Sequence, residues 1–118
     1  MNQWRVNIMK MLLVTVEGTQ RWVEIARGAS DDEIRQQLDD MYEAIGCESI
    51  EIVRLRQGCC MIVDEMGAIN GSRVNICASA LYGAAIYGNV LIGKIVHSPN
   101  GDLIYGYPSG VELYELRR

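Results

Sequence analysis

The sequence predicts an α+β domain in which a mostly antiparallel sheet of about six strands carries two helices packed on one face. Three observations predict it. Short β-rich runs alternate with Gly, Pro and Asn turn signals, a capping box at Ser30 and Glu33 opens an amphipathic helix, and a short alanine-containing stretch closes at Gly83. The chain has 118 residues, 49% of them hydrophobic and 22% charged, which fits one globular domain over 1–118 and leaves no room for a second. Residues 1–10 are expected to form a loose N-terminal segment, with the core at about 11–107.

The run Met11 to Val16, the turn signal Glu17-Gly18-Thr19-Gln20 and the residues Trp22, Val23 and Ile25 read as an N-terminal hairpin. Ser30 with Glu33 then starts a helix, helped by Asp31 and Asp32 in its first turn. Ile34, Leu38, Met41, Tyr42 and Ile45 recur at steps of three and four, and Gly46 offers a C-cap. Ile50 to Leu55 and Cys59 to Val63 form a second hairpin around Arg56-Gln57-Gly58. Its second strand does not alternate, so it suits a central position buried on both faces.

Asp64-Glu65-Met66-Gly67 ends that strand, and Ser72 or Asn75 caps a helix from about Ile76 to Tyr82. Val90 to Val96 is a strand with Gly93 at a bulge or close-packing point. The Asn100-Gly101 pair favours a type I′ turn into Leu103-Ile104-Tyr105. Val111, Leu113 and Tyr114 suggest a last edge strand.

Net charge is −4, which argues against direct nucleic-acid binding through phosphates. Acid is concentrated in one segment: Asp31, Asp32, Glu33, Asp39, Asp40, Glu43, Glu48 and Glu51 are offset by Arg35 alone. The helix face of Asp32, Asp39, Asp40 and Glu43 is either simply solvated or the contact for a protein with a basic groove. Tyr82, Tyr87, Tyr105, Tyr107 and Tyr114 crowd the C-terminal third, where amphipathic rings suit a homodimer or partner contact, with Tyr105 and Tyr107 as candidates. They would equally well cover the open face of the sheet.

No signal peptide is recognisable, and the uncharged stretch 74–93 contains Asn75, Ser79, Asn89 and three glycines, a poor composition for a membrane span. The expected compartment is the cytoplasm, with Cys47, Cys59, Cys60 and Cys77 as buried thiols. In that compartment the sequon Asn70-Gly71-Ser72 stays unmodified. The cysteine spacing with His97 matches no common metal site, so neither a metal nor a cofactor is expected.

Two enzymatic readings are weak in the residues. A Cys59 or Cys60 nucleophile assisted by His97 has no recognisable setting, and Asp64 with Glu65 reads as a turn opening because neighbours on a strand point to opposite faces. Gly67, Asn70, Gly71, Ser72, Arg73 and Asn75 form the candidate ligand site, since a strand, a glycine loop and a helix start together present N–H groups to an anion. The Walker and dinucleotide patterns are both missing.

The strand Met61-Ile62-Val63, the turn Asp64-Glu65-Met66-Gly67, then Gly71, Asn75 and Tyr87-Gly88-Asn89-Val90-Leu91-Ile92 resemble the domain of unknown function 3846 family over about residues 11–96. The resemblance implies an origin in phages, plasmids or conjugative elements of Firmicutes, and it carries no activity and no catalytic residues. The leading expectation is therefore a non-enzymatic accessory protein of a mobile element that binds a host or element protein, with inhibition of a host defence system as its use. The alternative is a domain binding a nucleotide or other anion at Gly67 to Asn75.

Overall fold

The computed structural model describes residues 7–118. Six strands and two α-helices follow in the order β1 (Ile8–Val14), β2 (Gln20–Ala26), α1 (Asp31–Ile45), β3 (Ile50–Arg54), β4 (Cys59–Asp64), α2 (Ile76–Tyr82), β5 (Val90–Ser98) and β6 (Gly101–Tyr105). A 3₁₀ turn at Leu113–Leu116 follows them. The sheet is antiparallel throughout and ordered β2-β1-β5-β4-β3, with β6 also paired to β5.

The expected α+β class and antiparallel sheet hold, but the helices lie on opposite faces instead of one. α1 contributes Met41 and Ile45 to a core with Met9, Met11, Leu13, Ile25, Cys60, Ile62 and Leu91. α2 contributes Ala78 and Leu81 to a separate core with Leu12, Val14, Cys59, Met61, Val63, Val90 and Ile92. Successive strand residues point to opposite faces, and Cys59 to Val63 are all buried, so both faces need a cover.

Both helix ends use the caps that the sequence signals. Ser30 Oγ accepts the Glu33 N–H while the Glu33 carboxylate accepts the Ser30 N–H, and those bonds hold the Glu33 carboxyl below its usual range. Gly46 ends α1 in the left-handed region. Asn75, not Ser72, caps α2, and Gly83 closes it.

The core is wider than expected. Of the N-terminal segment expected to be loose, residues 1–6 lie outside the described residues, while Ile8 to Lys10 belong to β1 and Met9 is buried. At the other end Leu116 is fully buried. Val111, Leu113 and Tyr114 do not form an edge strand. The Tyr107 N–H donates to the Lys10 carbonyl at 2.9 Å, beside the stretch of β1 that pairs with β5, and the chain then turns across the α2 face at Pro108 and Gly110. Leu113 and Leu116 pack down onto that face as a 3₁₀ turn.

The hairpin around Arg56-Gln57-Gly58 holds, whereas the turn at Asn100-Gly101 differs from the type expected. Gln57 and Gly58 both have positive φ, +61° and +68°, within the three-residue loop Arg56-Gln57-Gly58, which the Leu55 N–H closes by donating to the Cys59 carbonyl at 2.9 Å. Around Asn100-Gly101 the primed turn is excluded: Ser98 pairs with Gly101, so Pro99 and Asn100 are the central residues. Proline fixes a negative φ there, and Gly101 takes φ +116° after the turn. Gly93 is the close-packing point, since a Cβ there would sit 2.4 Å from the Tyr105 carbonyl oxygen and 2.7 Å from Met11 Cε.

Candidate functional site

The Gly67 to Asn75 loop uses its polar groups on itself. Gly67 donates to the Asp64 carbonyl at 3.2 Å, Asn70 to Met66 at 2.8 Å, Gly71 to Ala68 at 3.3 Å and Ser72 to Gly67 at 3.0 Å. A Cβ on Gly67 would lie 2.8 Å from the Tyr87 carbonyl oxygen, so glycine there lets the loop seat against that residue. The Asp64 carboxylate accepts the Met66 N–H at 2.9 Å, which makes it a turn opener. Arg73 pairs with Glu17 at 3.4 Å, both side chains largely exposed.

Asn75 is the most committed residue of the six. Its side chain is fully buried, donates to the Val14 and Gly88 carbonyls at 3.0 and 2.9 Å and accepts the Ala78 N–H at 3.0 Å. It ties the end of β1, the segment before β5 and the start of α2 together. The structure gives this candidate ligand residue a structural job, and the N–H groups of Gly67, Asn70, Gly71, Ser72 and Asn75 all bond within the fold.

The thiols and His97 do not meet as a nucleophile and base require. Cys59 and Cys60 lie in the cores on opposite faces of the sheet. Burial pushes the Cys60 thiol up to about 12 and raises Cys59 as well, opposite to the shift that activates a thiolate. His97 is exposed at the far end of β5, its Nδ1 2.8 Å from Asp102 Oδ1, while Arg54 donates to Oδ2 at 2.7 Å. The His97 hydrogen bond, more than the Arg54 charge, holds the Asp102 carboxyl below its usual range. Among the described residues, no three His, Cys, Asp or Glu side chains are grouped as a metal would need.

The acidic helix face and the tyrosines divide into two sets. Asp40, Glu43 and Tyr107 come to the β2 margin of the sheet, whereas Asp32, Asp39 and Tyr105 do not line either groove there. Asp40 accepts the Ala26 N–H at 2.8 Å and a Gln36 side-chain N–H at 2.8 Å. Tyr105 lies under the Arg27 guanidinium, 5.6 Å from its ring centroid. Tyr107 donates its hydroxyl to the Val111 carbonyl at 2.9 Å, and burial raises its pKa. Both tyrosines therefore make intramolecular contacts, and Tyr114 is the most exposed of the C-terminal rings.

Two shallow grooves flank β2, one on each face of the sheet. The α1-side groove, about 270 Å³, is lined by Arg21, Val23, Ile25, Asp40 and Glu43. The other, about 280 Å³, runs between β2 and the C-terminal segment, with Leu12, Trp22, Tyr107, Val111 and Leu113 in its wall. Trp22 is 56% exposed and meets Tyr107 edge to face at 5.5 Å between centroids. Trp22 is the residue that reasoning from the sequence missed. Its signal was parity: Val23 and Ile25 mark the face of β2 that packs under α1, so Trp22 falls on the other face of an edge strand.

No helix among the described residues is long and apolar enough to cross a membrane. No curated protein matches the chain. Among solved structures the fold is similar to one described as the crystal structure of small RNA methyltransferase HEN1, with a TM-score of 0.64 and 13% identity. That likeness covers 88% of this chain and 15% of the other, so this chain spans a small part of that protein and shares its fold there. The model of the family described as Domain of unknown function (DUF3846) matches residues 9–103, and the chain belongs to that family.

Proposed function

We propose that this chain is a non-enzymatic accessory protein that works in the cytoplasm by binding a protein partner, through the β2 margin. The observation that carries this reading is Trp22, a large aromatic side chain 56% exposed and oriented by Tyr107 beside a groove on an edge strand. Aromatic anchors next to shallow apolar grooves are where binding energy concentrates at protein interfaces. The mobile-element setting implied by the sequence resemblance makes a host defence protein the first partner to try. A second copy of this chain is the other.

The anion-binding alternative gains no support from the Gly67 to Asn75 loop, in which the N–H groups of Gly67, Asn70, Gly71, Ser72 and Asn75 are engaged within the fold. Affinity capture from a bacterial lysate, paired with a thermal-shift screen of phosphate and nucleotides, tests the proposal. The expected result is a retained protein and no thermal shift. A melting temperature raised by several degrees with a nucleotide, and no retained protein, would transfer the function to the ligand reading.

A further inference from the structure

Outward-facing backbone on β2 has a definite pattern. Arg27 donates to Asn7 and Thr15 to Thr19, so the odd-numbered residues of β2 carry the ladder to β1. The even-numbered residues turn their N–H and C=O groups to the outer edge. At Ala26 both groups are taken: Asp40 accepts the N–H at 2.8 Å and Gln37 donates to the carbonyl at 3.0 Å. Among the described residues, no backbone group pairs with Gln20 or Trp22 from that side. One end of the edge is stoppered by side chains of α1 and the other is open, where edges are normally blunted along their length.

Resting on the protein-binding reading above, we infer that β2 takes an added strand: an extended partner segment that presents an apolar side chain opposite Trp22 and a Lys or Arg next to it, opposite Val23. The two grooves dictate that chemistry. A residue paired with Trp22 shares its face and packs on the outer side of the indole, whose other side meets Tyr107 at the groove walled by Leu12, Val111 and Leu113. Its neighbour points to the opposite face, into the groove where Asp40 and Glu43 lie beside Val23. The other charged groups there are Arg21, two residues from Val23 along β2 and on the same face, and Glu24, which is already engaged. The acidic wall favours a cation at the Val23 position and the ladder supplies the backbone bonds, the mode by which sheets recognise extended peptides.

Selection of peptides from a random nine-residue phage library on the folded full chain tests this. The expected clones carry adjacent apolar and basic residues, and a synthetic peptide of their consensus slows amide exchange at Gln20 and Trp22. Trp22→Ala should weaken that peptide roughly tenfold, as should Glu43→Lys; Glu43→Lys, at an exposed site, keeps the wild-type melting temperature, and Trp22→Ala, which gives up the Tyr107 ring contact, stays folded with a small drop in it. Replacing the basic residue of the peptide with Gln should remove the Glu43→Lys effect. Peptides whose binding leaves the β2 amides unchanged, or ignores both substitutions, overturn strand addition while protein binding itself stands. Failure to enrich any clone also overturns it, and lysate capture then decides the broader reading alone.

Discussion

Asp40 accepts the outward N–H of Ala26 at 2.8 Å, so a side chain from α1 completes the hydrogen bonding of an edge strand 14 residues earlier in the chain. Gln37 takes the Ala26 carbonyl from the same helix. Asp40→Ala should cost about 1–2 kcal/mol, because a charge-assisted bond is lost at a half-buried site. Asp40→Asn keeps an acceptor oxygen and should recover part of that. Urea unfolding measures both, and light scattering should show more self-association for Asp40→Ala, whose edge is open further along.

Asn75→Ala should be the most damaging polar substitution. It removes the α2 cap and leaves the Val14 and Gly88 carbonyls without their donor, at a cost of about 3 kcal/mol in urea unfolding. Asn75→Asp keeps the capping oxygen but turns a buried charge toward two carbonyls, so it should not rescue. A residue used only to touch a ligand would lose binding with stability unchanged.

Gln57 is the one non-glycine residue of positive φ among those described, at +61°. A glutamine there carries left-handed strain that asparagine tolerates better. Gln57→Asn should raise stability by about 0.5–1 kcal/mol. Chevron or equilibrium unfolding checks it.

The thiols set an alkaline limit. Cys60 has a folded pKa pushed up to about 12 by burial, against an ordinary value of 9.0 in the unfolded chain. The unfolded state therefore loses the proton first, so stability is full below pH 9 and falls as pH rises from 9 toward 12. Cys60→Ala should show a flatter decline between pH 8 and 10.5 in urea midpoints, from a lower starting stability because the side chain is fully buried.

Much of the fold was legible because local chemistry and burial agree in it. The Ser30 and Glu33 capping box, the Gly46 and Gly83 stops and the non-alternating Cys59 to Val63 strand each act within a few residues. The non-alternation also held the clue to a sheet covered on both faces, which the expectation of two helices on one face overlooked. The Asn100-Gly101 signal does not by itself specify the turn, because Pro99 before it fixes a negative φ and the register. Of the site, Asp40, Glu43 and Tyr107 stand out in the sequence by charge and ring type, but the edge that gathers them does not. Trp22 is not legible in this way, because its exposure depends on β2 lying at the margin, and strand order is set by long-range pairing that no short window of sequence contains.

The most direct test is amide hydrogen exchange across β2, free and with a captured partner protein. In the free chain the Trp22 N–H should exchange far faster than the Val23 N–H, which is bonded into the sheet, and the Ala26 N–H should be protected by Asp40. On binding, Gln20 and Trp22 should become protected. A Trp22 amide as protected as Val23 before any partner is added, or one unchanged after binding, would contradict the account.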